Sequence, residues 1–233
     1  MSARRGVFQP VRVVCGEGDC GLGRLPAPLP LDRLAGGRGP WEVELGFGKG
    51  RYLLSRAAGD PDRRFLGIER AGSYLGLAAR RARRRDLVNV VLLRGDALYL
   101  LSAVLPRGFA AAVHVYFPDP WPKSRHEKRR LLDPGSIDLV VGLLGPGGRL
   151  YFATDFLSYG ASVRELLEGT PGVRVREHEG EWEEGPRTNY EAKYAREGRP
   201  ICRLVADFEP RGEPLHPLGR AAVLAATAPR ETP

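Results

Sequence analysis

Residues 41–50 read WEVELGFGKG, and this stretch decides the fold that the sequence predicts. Its first half, Trp41–Leu45, is short and apolar like a buried strand, while Arg51–Ala58 has the spacing of a helix. The glycines between them would let a ligand approach the backbone without meeting a Cβ atom. Their G-x-G-x-G spacing differs from the G-x-G-x-x-G of dinucleotide sites, and such a turn can also be simple tight packing. The stretch therefore predicts a strand–loop–helix unit of an α/β sheet.

Strand and helix patterns alternate through the following 150 or so residues, which is typical of a parallel sheet with helices on both faces. The predicted strands are Trp41–Leu45, Phe65–Ile68, Val90–Leu93, Ala110–Phe117, Arg149–Ala153, Val173–Glu177 and Ile201–Phe208. The predicted helices are Arg51–Ala58, Ala71–Arg85, Ala97–Leu105, Arg129–Leu144 and Ser158–Leu167. The alternation predicts a single α/β domain.

The composition divides the 233 residues into three parts. Residues 1–40 are rich in Gly, Pro and Arg and are predicted to form an N-terminal appendage, packed loosely on the core, in which Val7–Cys15 could be one short strand. Residues 41–209 form the predicted domain. Residues 210–233 form a C-terminal extension rich in Pro, Ala and Arg.

The charge and the cysteines narrow the classes of function. The net charge of +8 fits either a bias in codon usage or a polyanionic partner such as a nucleic acid, and composition alone leaves both open. Cys15, Cys20 and Cys202 do not have the spacing of a disulfide framework or a zinc site, so we expect no metal. No segment has the length of a membrane span, which predicts a soluble cytoplasmic protein.

Three acids follow successive predicted strands: Glu44, Glu69 and Asp96. Each acid alone could simply cap the next helix. Together they lie where open α/β sheets bind ligands, and Glu69 is about 20 residues past the glycines, as a ribose-binding carboxylate would be. A pocket of carboxylates repels pyrophosphate and suits a cationic nucleoside, which predicts S-adenosylmethionine as the cofactor.

A stiff arm leaves the fourth predicted strand at Phe117-Pro-Asp-Pro-Trp-Pro122. Each proline removes a backbone donor and fixes φ, so a strand cannot continue through it. The arm presents Asp119, which could also be a plain turn residue, and Trp121, for which packing and stacking on a base are equally open. A basic run follows and is either a phosphate-binding surface or a solvated face. It comprises Lys123, Arg125, His126, Lys128, Arg129 and Arg130.

These segments resemble a known family. The Glu44–Gly50 loop, Gly67-Ile-Glu69 and Gly95-Asp-Ala97 resemble class I S-adenosylmethionine-dependent methyltransferases. The run from Phe117 to Leu131 is similar to the signature of the tRNA (guanine-N7)-methyltransferases, and two later segments agree with it: Ala153-Thr-Asp-Phe156 with Tyr159, and Thr188-Asn-Tyr-Glu191. The resemblance covers about residues 41–209.

The resemblance implies a Rossmann-like, doubly wound, mostly parallel seven-stranded sheet with helices on both faces, the class I methyltransferase fold. It implies methyl transfer to N7 of a tRNA guanosine, that of the variable loop at position 46, with Asp119 catalytic. The implied cofactor-binding residues are Glu44, Gly46, Gly48, Gly50, Glu69, Asp96 and Asp119. The implied substrate-binding residues are Lys123, Asp155, Thr188, Asn189, Tyr190 and Glu191. The predicted RNA-contacting residues are Arg125, His126, Lys128, Arg129 and Arg130.

The expected partner is tRNA. We expect the protein to be a monomer or a homodimer, and the sequence requires no partner subunit. Two alternatives remain: a class I methyltransferase acting on another RNA or a small molecule, and a non-catalytic nucleic-acid-binding module. The basic run after Trp121 argues against a small-molecule substrate, and the presence of all the pocket acids argues against a non-catalytic module.

Overall fold

The computed structural model describes residues 12–15, 18–21 and 28–209 of the chain. Its strands are β1 (Arg12–Cys15), β2 (Gly18–Gly21), β3 (Trp41–Leu45), β4 (Arg64–Glu69), β5 (Val90–Arg94), β6 (Ala110–Tyr116), β7 (Leu144–Thr154), β8 (Val173–Glu177) and β9 (Cys202–Phe208). Its α-helices are α1 (Arg51–Gly59), α2 (Gly72–Arg83), α3 (Ala97–Ala103), α4 (Ile137–Val141), α5 (Leu157–Glu168) and α6 (Asn189–Arg196). Within these ranges, every helix is too short or too polar to cross a bilayer.

The strands form one sheet in the order β2-β1-β5-β4-β3-β6-β7-β9-β8. Strands β3 to β7 pair in parallel, and β9 enters antiparallel between β7 and β8. The predicted seven-stranded, mostly parallel sheet corresponds to β3–β9 and is confirmed. In addition, the hairpin of β1 and β2 extends the sheet beside β5.

Helices cover both faces of the sheet because its central strands are apolar on both sides. On one face, α1 and α2 pack against Phe65 and Leu92. On the other face, α3, α4 and α5 contribute apolar side chains to the core cluster that contains Leu66 and Val91, and α5 packs along β7, β8 and β9. Because β3 to β7 run parallel, they all end at one edge of the sheet, called the carboxyl edge below. The loops that leave this edge carry the predicted site residues.

We had expected the N-terminal appendage to pack loosely, but its described end packs into the core. Leu29 and Leu31 are only 3% and 5% exposed and belong to the main core. The Leu29 N–H also donates to the Val104 carbonyl at 2.9 Å. Apolar side chains in an otherwise Pro-rich segment account for this burial. The strand predicted over Val7–Cys15 is described only from Arg12, and the extension 210–233 lies outside the described residues.

The helix predicted over Arg129–Leu144 is wrong in extent. Residues 124–129 form a 3-10 helix, the chain then turns, and α4 covers only Ile137–Val141. Pro134 explains the break, because proline lacks a donor and disfavours a helical conformation at the preceding residue. The Asp133 carboxylate also accepts the Gly135 N–H at 2.9 Å, which is a turn bond that competes with helix formation.

Candidate active site

A cavity of about 260 Å³ opens at the carboxyl edge, between the glycine loop and the start of α6. Its walls combine one acid, two loop glycines, several aromatic rings and three basic residues at the rim. The lining residues are Glu44, Gly46, Phe47, Gly48, Lys49, Arg51, Tyr52, Tyr74, Tyr116, Phe117, Thr188, Asn189, Tyr190 and Lys193. The structure thus brings together residues from four segments of the sequence, 44–52, 74, 116–117 and 188–193.

The glycine loop is built around left-handed backbone. Gly46 and Gly48 have φ of +78° and +53°, a region that side chains rarely adopt, and a Cβ atom on either would meet nothing within 4 Å. Gly50 is different, because a Cβ atom there would lie 3.1 Å from that of Ala78 on α2. Gly46 and Gly48 therefore leave an open cradle that a ligand can enter, whereas Gly50 allows α2 to pack closely.

Glu44 lies at the end of β3 and is 3% exposed. Its Oε2 accepts the N–H of Leu53 at 3.1 Å, so the carboxyl group also fixes the first turn of α1. Burial raises the pKa of Glu44 from 4.5 to about 8, and the nearby Glu69 raises it further while the bond from Leu53 opposes the rise. A positive charge nearby would favour the ionised form of this buried acid. The site therefore suits a cationic ligand.

Glu69 and Asp96 both hold backbone at the ends of their strands. The Glu69 carboxylate accepts the N–H of Gly48 and that of Ala71, each at 2.8 Å, and so ties the glycine loop to the start of α2. Asp96 is exposed and caps α3 by accepting the Tyr99 N–H at 3.1 Å. A carboxylate has about four acceptor positions, so both groups retain capacity for a ligand hydroxyl or amine. Neither acid lines the cavity.

The aromatic walls were missed by the sequence analysis. Tyr52 and Tyr116 are each 6% exposed and lie against one another edge to face, with ring centroids 5.2 Å apart. Phe117 has a φ of +50°, which costs a residue with a Cβ atom about 1 kcal/mol. The signal was available in the sequence, because Tyr52 lies two residues after Gly50 in the first turn of α1 and Phe117 immediately precedes Pro118.

A buried chain of polar groups lies behind this wall. The Nε2 of His114 is 3.2 Å from Glu42 and its Nδ1 is 2.9 Å from the Tyr116 hydroxyl. Burial lowers the pKa of His114 and keeps it neutral, and a carboxylate can only accept, so Nε2 carries the proton. Nδ1 must then accept from the Tyr116 O–H. Burial would raise the pKa of Glu42, but its bonds with His114 and Arg56 lower it to about 2.

The arm after β6 carries Asp119 at the surface. Asp119 is exposed and makes no hydrogen bond or ion pair with the part of the chain that the structure describes. It does not line the cavity, but two residues span at most about 7 Å, so it lies at the rim beside Phe117. Trp121, with a φ of +42°, packs under the Arg129 guanidinium at 5.0 Å and against His126 at 5.8 Å. Trp121 thus shapes the arm, as the packing alternative proposed.

The basic run separates into an exposed part and a buried residue. Lys123, Arg125 and Lys128 are exposed to solvent. Arg130 is only 7% exposed, and its Nε donates to the Pro120 carbonyl at 2.9 Å while its guanidinium lies 4.9 Å from the Tyr159 ring. Such burial does not fit the predicted contact of Arg130 with RNA. Arg130 instead fastens the arm to α5.

Residues 188–191 begin a helix that the sequence analysis did not predict. The Thr188 hydroxyl accepts the N–H of Glu191 at 3.0 Å and caps α6. Asn189 and Tyr190 line the cavity. Glu191 does not, because it is 1% exposed and accepts from the Arg203 guanidinium at 2.8 Å. The prediction that Glu191 binds substrate therefore does not fit its buried ion pair.

Asp155 and Lys123 lie away from the lining of the cavity. Asp155 follows β7 and has one oxygen 3.7 Å from the Arg199 guanidinium. Among the predicted site residues, Glu44, Gly46, Gly48, Thr188, Asn189 and Tyr190 share the cavity, whereas Gly50, Glu69, Asp96, Asp119, Lys123 and Asp155 surround it or lie farther along the same loops.

The chain is similar to a large set of curated proteins. Residues 38–204 match the family Methyltransf_4, described as "Putative methyltransferase". The tRNA (guanine-N(7)-)-methyltransferase of Alkalilimnicola ehrlichii is 39% identical over 192 residues, which cover 79% of this chain and 80% of that protein. The enzyme of the same name from Nitrosococcus oceani is 36% identical, over 76% of this chain and 75% of that one.

Solved structures share the fold at much lower identity. The antibiotic-resistance methyltransferase Kmr aligns with a TM-score of 0.56 and 19% identity, over 84% of this chain and 99% of Kmr. A 16S rRNA (adenine(1408)-N(1))-methyltransferase from Catenulisporales acidiphilia, solved with its cosubstrate SAM, has a TM-score of 0.55 and 17% identity, over 88% of this chain and all of that one, 100%. At these identities the likeness extends to the fold alone.

Proposed function

We propose that this chain, which belongs to the tRNA (guanine-N7)-methyltransferase family, transfers a methyl group from S-adenosylmethionine to N7 of a guanosine in tRNA, and that its target is the variable-loop guanosine at position 46. The observation that carries the proposal is the cavity at the carboxyl edge, where an open glycine cradle and the buried Glu44 lie beside the arm that bears Asp119. Family membership supports the target position.

The cofactor half of the site is formed by the ends of β3, β4 and β5. When bound, S-adenosylmethionine supplies an electrophilic methyl group on a cationic sulfur. The open backbone at Gly46 and Gly48 accommodates it, and Glu44 offers a negative charge to its cationic end. Glu69, which also holds the glycine loop, would accept from ribose hydroxyls, and Asp96, which also caps α3, would accept from the adenine amino group.

The guanine half needs orientation rather than a base. N7 of a neutral guanine already carries a lone pair, so no proton has to be removed before methyl transfer. Asp119 accepts from the N1–H and exocyclic amine of the guanine and offsets the positive charge that develops on the purine. Thr188, Asn189 and Tyr190 hold the nucleoside from the α6 side of the cavity. Asp155 lies outside the lining at the end of β7, and the resemblance to the family supports its contact with the nucleoside.

The exposed cations of the arm bind the tRNA backbone. Lys123, Arg125, Lys128 and Arg129 follow Asp119 within ten residues, so phosphate contacts there set the register of the base at the cavity. Such contacts supply affinity that depends strongly on salt but do not identify the base. We also propose that the protein works in the cytoplasm as a monomer or homodimer without a partner subunit.

The test is to map the product. Unmodified tRNA is incubated with the purified chain and labelled S-adenosylmethionine, and modified bases are located by borohydride–aniline cleavage, which cuts at N7-methylguanosine. We expect one cut, at the variable-loop guanosine, and none in a transcript with adenosine at that position. Label in tRNA without this cut would contradict the proposed site, and label only in another substrate would contradict the activity.

A further inference from the structure

Arg187 directly precedes the Thr188 cap of α6 and is enclosed by aromatic rings. Only 9% of its side chain is exposed. The guanidinium carbon lies 3.9 Å from the Trp182 ring centroid and 4.8 to 5.7 Å from those of three tyrosines. These are Tyr52 of α1, Tyr116 of β6 and Tyr151 of β7. No other described arginine has four rings around it.

The polar atoms of Arg187 fasten three separate elements. Its Nη1 donates to the Tyr116 hydroxyl. Its Nε donates to Glu184 at 2.6 Å, which balances the buried charge. Its backbone N–H donates to Glu191 at 2.8 Å within the first turn of α6. A planar guanidinium with several fixed donors can hold such an arrangement, whereas a lysine ammonium cannot reproduce it.

These contacts use the only donor of the Tyr116 hydroxyl and one of its acceptor positions. It donates to His114 and accepts from Arg187, so both of its interactions run along the buried chain that ends at Glu42. The hydroxyl cannot turn toward the cavity without leaving a buried group unpaired. Tyr116 therefore presents its ring to the cavity in one orientation.

We propose that Arg187 is a positioning residue that sets the separation of two cavity walls, the Tyr52–Tyr116 wall and the Thr188–Tyr190 wall. Two connections explain the role. The side chain of Arg187 contacts Tyr52 and Tyr116 of the first wall, and its backbone leads directly into Thr188 of the second. This role rests on the proposed function, in which the Thr188–Tyr190 wall holds the guanosine; the Tyr52–Tyr116 wall lines the same cavity as Glu44 and the glycine cradle. Because methyl transfer requires alignment within a few tenths of an ångström, loss of Arg187 lowers the rate of transfer more than the affinity for either ligand.

The experiment removes the side chain and supplies its head group from solution. Arg187→Ala leaves a space lined by four rings and Glu184, which matches a free guanidinium ion. We expect single-turnover methyl transfer to fall about 100-fold, with the Kd values for S-adenosylmethionine and tRNA changed by less than about threefold. Millimolar guanidinium, far below denaturing concentrations, should restore a measurable part of the rate, and equal urea or potassium chloride should not.

Two further variants keep the test decisive if Arg187→Ala folds poorly. Tyr116→Phe removes one hydroxyl and keeps the ring, so by itself it should lower the transfer rate and leave both Kd values within about threefold of wild type. Where Arg187→Ala does fold, the double variant should show less than additive loss. Arg174→Ala is the control. It removes an exposed arginine of β8 that forms an ion pair with Glu209, and it should leave both rate and affinity unchanged.

The outcomes separate the two proposals. An active wild type with an unaffected Arg187→Ala variant overturns the positioning role alone, as does a loss confined to tRNA affinity. A fall in rate without guanidinium rescue, accompanied by a Tyr116→Phe variant that transfers methyl at the wild-type rate, also overturns it. A wild type that does not methylate tRNA overturns the proposed function and this role with it.

Discussion

Substitution of Glu44 by glutamine tests the electrostatics of the cofactor site. Glutamine has the shape of a protonated glutamate, and its carbonyl can still accept the N–H of Leu53. The variant should therefore keep the fold of the glycine loop and lose only the ability to become negatively charged. If Glu44 meets the cationic end of S-adenosylmethionine, its proton must leave when the cofactor binds.

The size of the effect follows from the pKa of about 8. At pH 7 a group with this pKa is about 90% protonated, so binding should release close to one proton. Below pH 8 the wild-type affinity should weaken about tenfold for each lower pH unit until the pKa of the bound state is reached. The Glu44→Gln variant should show neither effect, because it has nothing to titrate at that position.

Stability should respond in the opposite direction. The folded pKa of Glu44 lies above its ordinary value of 4.5, so its contribution to folding is complete below pH 4.5 and is lost as pH rises to about 8. A change of this size corresponds to at most about 5 kcal/mol. Urea unfolding of the apo protein should therefore find Glu44→Gln increasingly more stable than wild type as pH rises.

Titration calorimetry in two buffers of different ionisation enthalpy measures the proton release, and the same titrations from about pH 6 to about pH 9 give the affinities. The quantity of interest is the difference between wild type and Glu44→Gln, because protons lost by the cofactor itself are common to both. Equal proton release in the two proteins, with parallel pH profiles of the Kd, would refute the contact between Glu44 and the cofactor.

Three further predictions concern stability and tRNA binding. Glu42→Gln should cost about 3 kcal/mol at neutral pH, since the depressed pKa of Glu42 stabilises the fold above pH 4.5 and this stability is lost toward pH 2; urea unfolding against pH measures it. Lys128→Ala should weaken tRNA binding and reduce the slope of log K against log salt by about 1. The control Arg84→Ala, at the C-terminal end of α2, should change neither quantity. Arg130→Ala should lower the free energy of unfolding by about 2 kcal/mol, because it leaves the Pro120 carbonyl unpaired. The slope of log K against log salt for tRNA binding should equal that of wild type. A smaller slope would show that Arg130 contacts RNA.

Much of the fold could be read from local patterns. Most of the strands β3–β9 contain apolar runs, β8 alternates apolar and charged residues, and the glycines after β3 identify the loop at the carboxyl edge. The hairpin of β1 and β2 was not predicted as such, because its pairing with β5 depends on contacts across about 80 residues of sequence. Helix α6 was missed because its residues are polar, although Thr188 and Glu191 have the spacing of a capping box.

The candidate site was predictable where residues act one at a time and not where they act through partners. Glu44, Gly46 and Gly48 could be proposed because a strand end and a left-handed turn are local features, and all three line the cavity. The burial of Arg130 and Glu191 could not be foreseen, since charge alone does not reveal that each packs against a distant partner, Tyr159 or Arg203. Arg187 gave no signal, because its cage is assembled from four separate segments.

The most direct test of the account measures single-turnover methyl transfer to tRNA by Asp119→Asn, with Asp138→Asn on the exposed face of α4 as the matched control. Asparagine preserves the size of Asp119 but not its charge, and Asp119 has no partner in the described structure whose loss could disturb the fold. The account predicts a rate reduced by about 100-fold or more, with unchanged Kd values for tRNA and S-adenosylmethionine, and a control equal to wild type. An Asp119→Asn enzyme that methylates N7 at the wild-type rate would contradict it.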